Sequence, residues 1–184
     1  MGSAIAHVNR EMRRMLADGL TASRLVVAIA LVGEPAPAAT VVLVTWAWVS
    51  DALDGPLARS AGRPGRLARF DHATDAVVGI ALIWHLGAIG FWPLLPVLGG
   101  AALLLLGWAL TRAFVVQMLL LAIAYAGFLW WAATSRPWGW ALPLVVALTV
   151  LAWEWQRFSR QLVPGFLRGW RDLLTGRGYP RSGG

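Results

Sequence analysis

Apolar residues run in long blocks along this chain, broken by short stretches into which most of the charge is gathered. Across 184 residues, 58% are hydrophobic and only 14% charged, where a soluble domain carries roughly a quarter charged residues. A hydrocarbon core needs about 20 apolar residues per helical crossing. The chain therefore has room for six crossings with tight loops and little left for a soluble domain. This pattern predicts an all-α, polytopic integral membrane protein: six transmembrane helices led by an amphipathic helix.

The breaks set the expected boundaries. Over residues 4–16, Ile5, Val8, Met12 and Met15 recur at helical spacing with Arg10, Arg13 and Arg14 between them, as in a helix lying in the membrane surface. A first crossing over about Thr21–Val32 ends at Gly33-Glu34-Pro35-Ala36-Pro37, a run of helix breakers. The same opening imitates a signal peptide, although a proline inside the supposed cleavage site, Ala36-Pro37-Ala38, argues against one. A second span starts near Ala38 and continues into the polar stretch Asp51–Arg59, followed by a turn at Gly62–Arg66. The third begins near Arg69 and fades at Gly87–Gly90; the others cover roughly 94–110, 114–133 and 139–156. Residues 1–20 thus form the interfacial helix, 21–158 the membrane domain and 159–184 a basic tail, disordered towards its end.

All sixteen basic residues are Arg. A GC-rich genome accounts for that bias, so it is weak grounds for reading bidentate phosphate binding into any one Arg. Their placement says more. With a cytoplasmic N-terminus, the loops put fifteen on one side and only Arg136 on the other, so both termini are expected in the cytoplasm of a multi-pass cell-membrane protein. The net charge of +7 then reflects orientation and implies no nucleic-acid partner. Trp92, Trp130, Trp131, Trp138 and Trp140 fit either an outer aromatic belt or a Trp-rich core. Without Cys there are no disulfides, thiolate metal sites or cysteine nucleophiles.

Chemistry points to four carboxylates. Asp51 and Asp54 are three residues apart, Asp71 and Asp75 four, so on helices each pair shares one face. The short turn between the second and third spans makes these antiparallel neighbours and brings both pairs to the cytoplasmic end. Four crowded carboxylates cannot all stay ionised unless something neutralises them. Nearby Arg side chains are one candidate. Divalent cations are another, and all-oxygen ligands favour Mg²⁺, Mn²⁺ or Ca²⁺ over zinc. Two such ions are a common device for displacement at phosphorus. Gly55 and Ala58, small and on the same side, let a bulky ligand approach the backbone, and Arg59 is placed to meet a phosphate. Pro56 is awkward, because inside a helix it removes a hydrogen bond.

Asp51-x-x-Asp54-Gly55-x-x-Ala58-Arg59, followed by Asp71-x-x-x-Asp75, resembles the signature of the CDP-alcohol phosphotransferases at every fixed position but one. The family has a glycine where Leu67 stands here, and one more residue in the linker before it. Thr21-x-x-Arg24 is similar to a further family element whose leading Asn is replaced by Asp18. The resemblance covers about residues 4–160. It implies a phospholipid-biosynthetic enzyme that transfers the phosphatidyl group of a CDP-linked lipid, typically CDP-diacylglycerol, to an alcohol, releasing CMP. It further implies two Mg²⁺ or Mn²⁺ ions on Asp51, Asp54, Asp71 and Asp75, with Asp75 also the general base. Asp51, Asp54, Gly55, Ala58 and Arg59 would line the CDP site, and a homodimer is expected.

The acceptor alcohol is less defined. Arg112 and Arg157 fall on the cytoplasmic side, where they either bind a phosphorylated acceptor or simply mark helix ends. Small size resembles the phosphatidylglycerophosphate synthases, but Asp71-His72-Ala73-Thr74-Asp75-Ala76 departs from their usual segment. Three rivals remain. An aspartate-rich intramembrane prenyltransferase normally needs more helices. A divalent-cation transporter needs polar residues through the bilayer depth. An inactive relative serving as a partner subunit is compatible with Leu67.

Overall fold

A computed structural model describes residues 2–62, 65–111, 114–135 and 138–175, except the side chains at 2–7, 114, 157, 162 and 172–174. The described residues contain helices and no strand, so the fold is all-α. In order these are α1 (Gly2–Val32), α2 (Pro37–Ser60), α3 (Asp71–Ala88), α4 (Leu94–Thr111), α5 (Phe114–Ser135) and α6 (Ala141–Trp153). A short α7 (Trp155–Arg157) and a π-helical turn, Phe158–Leu162, lead into α8 (Val163–Leu174).

Local sequence explains most boundaries. Glu34 takes a positive φ of 54° just after α1, and Pro37 opens α2, where its missing N–H costs nothing. Gly62 and Gly90 adopt positive φ after α2 and α3, a conformation glycine accepts readily. Pro56 stays inside α2. In place of a surface helix followed by a separate crossing, α1 is continuous. Gly19 is the weakest helix former at the junction, and one glycine costs about 1 kcal/mol, too little by itself to end a helix.

Among the described residues, three stretches are long and apolar enough to cross a membrane: Val8–Val32, Leu94–Thr111 and Val115–Ser135. That is fewer than the six expected crossings. Of the others, α2 carries Asp51, Asp54 and Arg59, α3 starts with its two aspartates, and α6 has only 13 residues. The distribution of burial suits a bilayer. Among the described residues, Ala101 is the sole buried residue of α4 and Pro143 of α6, while Leu95, Leu103, Leu110, Val145 and Leu148 are exposed. A helix apolar all round needs an apolar surrounding on every face.

The core joins α1, α2, α3 and α5 through Val27, Leu31, Val44, Val78, Leu82, Leu86, Leu120 and Phe128. Within it, α1 packs most extensively against α2 and next against α3. This corrects the expectation that α2 and α3 are immediate neighbours: α1 is the helix on which both lean. A connection of ten residues between α2 and α3 is long enough to let α1 in. The two still touch through side chains, Thr40 Oγ1 lying 3.0 Å from His85 Nε2 at the end remote from the aspartates. Outside this trio, α5 packs on α3 and α4, α6 on α2, and α8 on α5.

Candidate metal centre

The antiparallel run of α2 and α3 beside α1 brings Asp51, Asp54, Asp71 and Asp75 together. The side chain at their centre comes from α1. Arg24 is 1% exposed and donates to all four carboxylates: Nη1 to Asp51 Oδ1 at 2.8 Å and to Asp75 Oδ1, Nη2 to Asp54 Oδ2 and Asp71 Oδ1. Thr21, one turn earlier in α1, donates to Asp54 Oδ2 at 3.2 Å. The Arg-paired alternative for the aspartates is therefore realised, with a residue that the sequence pattern had placed only in a charge count and a motif resemblance.

Exposure grades the cluster. The side chains of Asp51 and Asp71 are 54% and 33% exposed, those of Asp75 and Asp54 17% and 10%. Carboxylate oxygens of Asp51, Asp54 and Asp71 all lie within 4.8 Å of one another and could hold a metal ion. Asp75, a turn further along α3, is not in that close trio, although the sequence spacing grouped it with the other three. Donor chemistry fits a hard divalent cation, since every ligand is a carboxylate oxygen. Charge fits as well: Arg24 offers a single positive charge to four carboxyl groups.

All four aspartates line one cavity of about 430 Å³. Its walls come from α2 (Trp48, Ala52, Gly55), α3 (His72), α5 (Met118) and α6 (Ala147, Val150, Leu151), with Glu154 and Phe158 beyond. One end of the space is therefore acidic and the rest mainly apolar. Trp48 packs edge-on against Tyr125 and Phe128 of α5, with ring centres 5.2 and 6.1 Å apart. Gln117 of α5, 3% exposed, donates to the backbone carbonyl of His72 at 2.9 Å and ties α5 to the start of α3.

The remaining candidates disperse. Gly55 lines the main cavity, as its spacing suggests, and Ala58 lines a small neighbouring pocket with Asp18, Thr21 and Gly65. Arg59 does not line the main cavity itself: it pairs at 3.5 Å with Glu154, which does, and borders a third pocket with Gln156 and Arg160. Arg112 and the side chain of Arg157 lie outside the described residues.

Asp18 has a role that its motif position did not reveal. Its carboxylate accepts from the backbone N–H of Arg66 at 3.1 Å and of Leu67 at 2.9 Å. Gly65 lies so close that a Cβ there would collide with the Asp18 carboxylate. The connection entering α3, and so the start of the helix that bears Asp71, is pinned to α1. A signal for this would have been a loop glycine beside unpaired backbone donors, facing an acid 48 residues away. Comparison with family models, curated proteins and solved structures finds no match for this chain.

Proposed function

We propose that this chain is a membrane transferase of the CDP-alcohol phosphotransferase kind, moving a phosphatidyl group from a CDP-linked lipid to an alcohol with release of CMP. One observation supports it above all: two aspartate pairs, spaced as in that family's signature, converge on the wall of one cavity whose other walls are mainly apolar, with His72 and Glu154 the polar exceptions. An acidic end suits a metal-bound diphosphate, and apolar walls suit lipid chains. The reading includes six crossings, a cytoplasmic active site, and a homodimer.

Asp51, Asp54 and Asp71 are the residues that would hold Mg²⁺ or Mn²⁺, with Asp75 as an additional ligand for a second ion. Such ions, when bound, supply charge stabilisation for displacement at phosphorus. Asp75 Oδ takes the proton of the acceptor hydroxyl as its oxygen bonds to the phosphorus and the bond to CMP breaks. Small Gly55 leaves room for the nucleotide beside Asp51 and Asp54. The apolar side chains of α6, Val150 and Leu151 among them, help to exclude water from the reacting phosphate. A phosphorylated acceptor would need cations of its own, for which Arg112 and Arg157 remain the sequence candidates.

Arg24 favours a second reading, in which the four aspartates and one guanidinium form a structural charge cluster with no cation. An inactive partner subunit or a cation transporter would each have to be built on that same cluster. The discriminating experiment offers the purified chain CDP-diacylglycerol, Mn²⁺ or Mg²⁺ and a panel of alcohols, glycerol 3-phosphate and inositol phosphate included. Acceptor-dependent release of CMP is expected; no release with any acceptor favours the structural cluster.

A further inference from the structure

We propose that Arg24 is a positioning residue, which gathers the four aspartates from the buried side and so presents Asp51, Asp54 and Asp71 as one ligand set to a divalent cation in the cavity. This rests on the metal-dependent reading above.

The donor accounting carries it. A guanidinium has two terminal nitrogens with two hydrogens each. Nη1 joins Asp51 of α2 to Asp75 of α3, and Nη2 joins Asp54 of α2 to Asp71 of α3. Each nitrogen is thus a bridge between the two helices, in the order their antiparallel run requires. The four terminal hydrogens correspond to four carboxylates, and Thr21 Oγ1, 3.5 Å from Nη2, is a longer contact. Only one oxygen of each aspartate is taken by Arg24: Oδ1 of Asp51, Asp71 and Asp75, and Oδ2 of Asp54.

Placement gives the direction. All four aspartates line the main cavity and Arg24 does not, nor does it line the small pocket beside Asp54 and Asp71. The guanidinium therefore holds the cluster from behind. Alone, four like charges on two helices would push those helices apart. One cation offsets part of that repulsion, and the excess negative charge still attracts a divalent ion. Lysine cannot substitute. It keeps the charge but has three hydrogens on one nitrogen and no planar fork, so at least one carboxylate is released.

The test is Mn²⁺ affinity of the full chain in lipid nanodiscs, read from the free-Mn²⁺ resonance signal, for wild type and Arg24→Lys. Helicity and the unfolding midpoint in chelator are followed in parallel. The expected result is binding weakened about tenfold or more in a variant of unchanged helicity, the scale seen when groups that orient metal ligands are lost. Unchanged binding overturns the proposal. Tighter binding also overturns it, because Arg24 would then compete with the cation. If wild type binds no Mn²⁺, the metal reading itself fails, a distinct outcome. Should Arg24→Lys not fold, Thr21→Val decides: it removes one contact to Asp54, keeps every charge, and should weaken binding in the same direction by a smaller factor. Wild-type affinity in that variant counts against the proposal.

Discussion

Asp75 follows Asp71 by one helical turn in α3 and is the less exposed of the two, 17% against 33%. With Asp51, Asp54 and Asp71 forming the close trio, Asp75 is the carboxylate best placed to handle a proton. Asp75→Asn keeps the shape and removes the base, so turnover should fall about 10²–10⁴-fold, the usual size of such a contribution. Nucleotide-lipid affinity should fall far less than in Asp51→Asn or Asp54→Asn. Equal loss of binding in all three would make Asp75 mainly a ligand and move the search for a base to His72. At this scale the aspartates were legible because spacings of three and four put them on helix faces. The partner at their centre was not. Arg24 is separated from the aspartates it binds by 27 to 51 residues, and only the Thr21-x-x-Arg24 resemblance, which says nothing of its partners, sets it apart from the other Arg residues of α1. Asp18 was hidden in the same way, its partners being the backbone of a loop 48 residues on.

Helix boundaries followed from breakers and apolar runs, and they agree with the structure to within a few residues at most ends. Neighbour relations did not follow. A short connection suggests adjacent helices, yet α1 packs against both α2 and α3, an arrangement set by side-chain fit along the whole of α1. Such fit depends on small residues where helices or loops approach closely. Gly127 of α5 is the clearest case, because a Cβ there would overlap the Trp92 ring just ahead of α4. Trp92 also packs on Phe91, with ring centres 6.3 Å apart, a contact it would lose on withdrawing. Gly127→Val should therefore cost about 1–3 kcal/mol, the range for overpacking a filled core. A lowered thermal midpoint in detergent is the check, and an unchanged midpoint would mean that Trp92 moves aside. Metal binding should persist in whatever fraction folds, since the substitution lies away from the aspartates.

For the molecule as a whole, the expected topology sets fifteen Arg residues on one side against one on the other, and the proposal that the aspartates face the cytoplasm rests on that count. The chain has no Cys, so single cysteines can be introduced and labelled without a background. Ser60→Cys, at the end of α2 and exposed, should react only with reagents that reach the cytoplasm. Labelling from the opposite face of intact cells would put the cluster on the wrong side for a CDP-linked lipid. Among the described residues, three helices meet the length and composition of a crossing. The others fall short because α2 and α3 carry the very carboxylates that make the site, and α6 is short. That conflict between crossing a bilayer and holding charge is what the proposed site at the membrane edge requires. The most direct measurement is CMP release from CDP-diacylglycerol by the purified chain, with its acceptor, as Mn²⁺ or Mg²⁺ is removed by chelator and restored. Release should stop on chelation, return with the cation, and be largely lost in Asp54→Asn that still inserts and folds. Transfer that persists in chelator would contradict the divalent-cation chemistry proposed for the four aspartates.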